Sequence, residues 1–170
     1  MAFGKTFILS LVAFIGLNFG FAVIVAALAG TIGTFFTSLA DMTVLANALC
    51  GPISLYPGTV IGNYGITPSL VGSFFESTIS ITTVLTYIFY IVAPLLAAII
   101  AGRMGESRGE CFGAWFLTAM IVMAVALVLE LIANSFSIGI SVLLGIILGG
   151  VVTAFFYGCF TLLLARSEFY

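Results

Sequence analysis

Residues 141–153 read SVLLGIILGGVVT, and within them Ser141, Gly145, Gly149 and Thr153 fall at every fourth position of an otherwise bulky apolar run. A spacing of four keeps these small residues on one side of an α-helix. In water each glycine costs a helix roughly 1 kcal/mol against alanine. In lipid the hydrophobic effect no longer drives helices together, and close backbone approach at small residues carries the packing instead. The stretch therefore predicts a membrane helix that another helix touches closely. It lies inside the uncharged run Ile138–Ala165, which exceeds the about 20 residues needed to cross the hydrocarbon and must tilt or emerge at one end.

The rest of the chain has the same character. Of its 170 residues, 63% are apolar and 6% are charged, whereas a soluble domain carries about 25% charged residues. Four segments are apolar for long enough to span: Phe7–Ala29, Ile79–Ala101, Phe112–Ala133 and Ile138–Ala165. Backbone groups in lipid must be satisfied within their own segment, so each is expected to be a helix. The predicted fold is all-α, a single polytopic membrane helix bundle of four transmembrane helices. A long apolar outer segment, residues 30–78, joins the first two.

Lys5 precedes the first span, Arg103 and Arg108 lie between the second and third, and Arg166 follows the fourth. The positive-inside rule then places both termini and the 102–110 connection in the cytoplasm, with the protein in the cell membrane. Lys5, the apolar run and Ala27-Leu28-Ala29 have the elements of a secretory signal with a cleavage site. The run is longer than a signal h-region of about 7 to 15 residues, so it is expected to stay as the first helix.

Within the outer segment, Phe35, Leu39, Met42, Ala46 and Leu49 recur at helical spacing, which predicts an interfacial helix over about residues 35–49. Cys50-Gly51-Pro52 is expected to end it. A turn-rich stretch with Pro52, Pro57 and Pro68 follows, and Thr67-Pro68 has the form of an N-cap with proline in the first turn.

Several small residues outside the opening stretch extend the packing theme. Gly16 and Gly20 share one side of the first span with Ala27, and Ala93, Ala97 and Ala101 line the second. Asn18 lies nearly opposite Gly16, so the first helix is expected to pack on two sides. Asn18, the Thr83/Thr86 stripe and Glu130 are the candidate intramembrane polar site. Each also has a structural reading: an interhelical hydrogen bond for Asn18, a packing seam for the threonines, and a hydrogen-bonded carboxylate beside the Asn134-Ser135 turn for Glu130. Pro94 is expected to interrupt the second helix, and Trp115 to anchor the third at the membrane interface.

Enzymatic chemistry finds little support. Histidine is absent, and Cys50, Cys111 and Cys159 are widely spaced, which disfavours a metal site, haem ligation or a disulfide framework. The loop GRMGESRGE, residues 102–110, matches no phosphate-binding motif, and no GxSxG occurs. No cofactor, metal or nucleic-acid partner is expected. The composition fits a non-enzymatic integral membrane protein acting through helix packing and assembly, as a homo-oligomer or as an accessory subunit of a larger membrane complex. The alternative is a small channel or transporter using Asn18, Thr83, Thr86 and Glu130. Its partners would be the lipid bilayer and either further copies of itself or other membrane subunits.

Overall fold

The computed structural model describes residues 2–51, 81–137 and 139–165, and every regular element among them is a helix. In chain order these are α1 (Ala2–Leu28), α2 (Ile32–Ser38), α3 (Met42–Cys50), α4 (Ile81–Met104), α5 (Arg108–Ala133) and α6 (Ile140–Leu164). Four of them, α1, α4, α5 and α6, are long and apolar enough to cross a membrane. The bent pair α2 and α3 makes a fifth if it counts as one span. The helices overrun the expected spans at one end, α1 beginning before Phe7 and α4 continuing past Ala101. Polar residues such as Lys5 and Arg103 can continue a helix beyond its apolar stretch.

Local chemistry marks the ends. After α1, Gly30 adopts φ +69°, its N–H donates to Ala27 O and Thr31 N–H donates to Ala26 O. These two bonds form the left-handed glycine cap that satisfies terminal carbonyls. Asp41 caps α3, its carboxylate accepting from Thr43 N–H at 2.8 Å. At α5, Ser107 Oγ accepts from Glu110 N–H while the Glu110 carboxylate accepts from Glu106 N–H. This is a close variant of the reciprocal capping box. The helix of α4 runs unbroken through Pro94, although a proline was expected to interrupt it. Apolar helices packed by neighbours tolerate the lost ladder bond.

α1 lies antiparallel to α4, with Phe21 stacked on Phe89 at 4.2 Å and Ser10 Oγ near enough to donate to Ala97 O. α5 and α6 form a second antiparallel pair. Phe14 of α1 meets Trp115 of α5, and α4 also packs against α6. Lys5, Arg103 and Arg108 consequently gather at one end of the bundle, here the basic end; the Asn134–Ser137 turn lies at the opposite, far end.

Small residues make up much of the interior. Ala93, Ala97, Ala98, Ala101, Ala114 and Ala154 are fully buried around Trp115, Tyr157 and Phe14. The outer surface carries bulk instead, with Val12 and Leu148 each 62% exposed and Leu163 79% exposed. That distribution suits lipid as the solvent, because it brings backbones close inside and leaves branched side chains for acyl tails. Trp115 departs from the expected interfacial anchor: it is buried, and its Nε1–H donates to Ala154 O at 2.9 Å. Its one donor is satisfied by the neighbouring helix, so the ring can lie in the core.

The opening stretch is divided by its two neighbours. Gly149 and Thr153 are buried, but Gly145 is exposed, and a Cβ there would meet nothing within 4 Å. The face that receives α5 lies one residue further on. At Gly150 a Cβ would lie 2.5 Å from Met123 Sδ, and at Gly158 it would lie 2.6 Å from the Phe112 ring. At Gly102 of α4 it would lie 2.9 Å from Thr161 O, so the backbones of α4 and α6 approach directly. The side chains of Ser141 and Thr83 lie outside the described ones, as do residues Thr67, Pro68 and Arg166.

The segment after α1 forms two helices rather than one helix over 35–49, because Asp41 caps a new start and the two axes bend by 111°. α2 buries no residue. α3 buries Ala46, Ala48 and Cys50 against α1 and α5, and Cys50 joins the central core.

Candidate functional site

α3 points its C-terminal end at the middle of α1. Asn18 lies ten residues before Leu28, the last residue of α1, or about 15 Å along the axis at 1.5 Å per residue. Gly51, directly after α3, rests on it: a Cβ at Gly51 would be 2.6 Å from Asn18 Oδ1 and 3.2 Å from Cγ. The backbone there has φ +58° and ψ −173°, a region open essentially to glycine alone. Absence of a side chain and access to this conformation together let the chain reach Asn18.

Above this contact lies a cavity of about 340 Å³. Phe21, Ala22, Val25, Ala26 and Ala29 of α1 form one wall, and Thr86, Phe89 and Tyr90 of α4 form another. Val44, Asn47 and Ala48 of α3 close the third side, and Thr31 and Phe35 complete the described lining. The floor is Asn18, 6% exposed, with one Nδ2 hydrogen donated to Phe14 O at 2.9 Å. Thr86 Oγ1 donates to Thr82 O at 2.7 Å, which leaves its lone pairs as acceptors. The Asn47 carboxamide is exposed. No charged residue is among the described residues that line this space.

Two members of the expected polar site, Asn18 and Thr86, thus come together here. Glu130 does not join them. It is half-buried near the far end of α5, where Asn134 Nδ2 donates to its Oε2 at 3.2 Å and to its backbone O at 2.9 Å. Of the expected packing residues, Ala93 and Ala97 are fully buried, whereas Gly16 and Gly20 have nothing within 4 Å of a Cβ position. Gly51 and Asn47 were not foreseen as site residues. The available signal was a glycine directly after a short amphipathic helix, opposite a lone amide in mid-span. Among the described residues no group of three His, Cys, Asp or Glu is placed to hold a metal ion.

The architecture is that of a helical protein with four, or up to five, helices able to cross a membrane. No family model matches the chain, and no curated protein or solved structure does either.

Proposed function

We propose that the chain is a non-enzymatic integral membrane protein that admits a small solute into the cavity above Asn18, as a binding or carrier unit. In this reading α1, α4, α5 and α6 are four membrane crossings, and α2 and α3 form a bent pair whose C-terminal end reaches about halfway down. The basic end and both termini are cytoplasmic, following the positive-inside rule, so the mouth faces the other side. The observation that carries the reading is the seat of Gly51 on Asn18. Irregular backbone at membrane depth is tolerated where it is buried in protein or lines a cavity, and broken helices of this kind surround the binding sites of many transporters. Ala22→Cys tests it. Cys50 and Cys111 are buried and Cys159 is exposed on α6, so the test is made in a Cys159→Ser background. A small uncharged, water-soluble thiol reagent such as iodoacetamide, added to intact cells, is expected to modify Ala22→Cys as it does a Ser137→Cys control. An unreactive Ala22→Cys beside a reactive control refutes an open solute site.

Assembly is the second reading, as a homo-oligomer or an accessory subunit, and one observation favours it. Gly16 on α1 and Gly145 on α6 are exposed with open space at their Cβ positions, where a surface meeting only lipid has no need of small residues. Gly145→Leu is expected to reduce the particle mass in mild detergent while the monomer keeps its thermal stability. Unchanged mass removes the face around Gly145 from any interface.

A further inference from the structure

We infer that the solute is an uncharged amphiphile with an aromatic body and a hydrogen-bonding head, such as a carboxamide or hydroxyl. The inference rests on the reading of the cavity as a solute site and adds the chemistry of its occupant. At about 340 Å³ the space is at the small end of ligand pockets. Its walls present Phe21, Phe35 and Phe89. The Phe21 and Phe89 rings are stacked with their planes 6° apart, so between them they offer ring edges and outer faces. Aromatic rings pack there by offset or edge-on contact.

The polar side chains are all neutral and are spread along the cavity: Asn18 at the floor, Asn47 on α3, Thr86 and Tyr90 on α4, and Thr31 after α1. Carboxamides and a hydroxyl satisfy a neutral head, but they supply no counter-charge. An ion moved from water to this depth would lose its hydration without a partner of opposite sign among the described lining residues, and a buried charge is tolerated only when paired. The direction of α3 adds to the exclusion of anions. Its C-terminus, with the partial negative charge of a helix end, is aimed at the floor. An ammonium is not repelled by that dipole, yet no carboxylate among the described lining residues replaces its water.

A matched set of probes tests this: 3-phenylpropanamide, 3-phenylpropylammonium and 3-phenylpropanoate, titrated calorimetrically into the full chain in nanodiscs at neutral pH. These share one aromatic body and differ in the charge of the head. The amide is expected to bind at least about tenfold more tightly than either ion, in line with the discrimination that buried polar groups produce. Thr86→Val, which keeps the side-chain shape and removes a hydroxyl acceptor, is expected to weaken the amide several-fold and leave the carboxylate, which has no donor, unchanged. An ion that binds as tightly as the amide overturns the inference about charge, while its loss in Ala48→Trp, which fills the cavity, keeps the site reading. Binding of the amide that Ala48→Trp leaves intact places the probe elsewhere and overturns the inference, as does no binding by any probe. Reactivity of Ala22→Cys then decides separately whether the cavity itself admits solute.

Discussion

At Gly51 two constraints meet in one residue. Its backbone conformation is closed to residues with a Cβ, and the space a Cβ needs is occupied by Asn18. Gly51→Ala is therefore expected to cost at least about 2 kcal/mol, since a sparsely populated backbone region alone costs of order 1 to 3 kcal/mol. Thermal unfolding in detergent measures it, and Asn18→Ala separates the two parts. In the Asn18→Ala background the contact is gone and only the backbone strain remains, so Gly51→Ala should cost less there. Equal costs in both backgrounds show that the contact with Asn18 contributes nothing. Trp115 shows why residue type alone misleads: tryptophan favours interfaces because its ring is apolar and its N–H needs a partner. Here Ala154 O supplies that partner within the bundle.

α6 shows the same limit for an element. Its sequence has glycines and small residues on two overlapping registers, Gly145-Gly149-Thr153 and Gly150-Ala154-Gly158. A four-residue repeat identifies a close-packing helix but does not choose between faces that differ by one residue, or about 100° around the axis. The choice is made by the partners, since Met123 and Phe112 of α5 fill the space beside Gly150 and Gly158. Gly158→Leu is expected to lower stability by about 1 to 3 kcal/mol through overpacking, and Gly150→Leu to act in the same direction. Gly145→Leu should leave monomer stability nearly unchanged. Thermal unfolding at low protein concentration compares them, and a Gly145→Leu variant as destabilised as Gly158→Leu contradicts the assigned face.

Across the whole molecule, the gathering of Lys5, Arg103 and Arg108 at one end carries a prediction about orientation. An impermeant thiol reagent added to intact cells should label Ser137→Cys at the far-end turn and should not label Glu106→Cys in the connection between α4 and α5. Labelling of Glu106→Cys, with Ser137→Cys protected, inverts the topology. Both positions are exposed turns, and neither native Cys50 nor Cys111 serves for this test because both are buried. The sequence by itself determined the helical class, the four long apolar segments and the shared end of the basic residues, because each follows from local composition measured against the thickness of a bilayer. It also singled out Asn18 and Thr86, since a polar residue in an apolar run stands out wherever it points. Only the tertiary structure decided that Glu130 stands apart from them, that Trp115 lies inside, and that the segment after α1 turns at Asp41 and reaches Asn18. Those outcomes depend on which faces meet, and the faces of a helix that is apolar all round are distinguished by its neighbours rather than by its own periodicity.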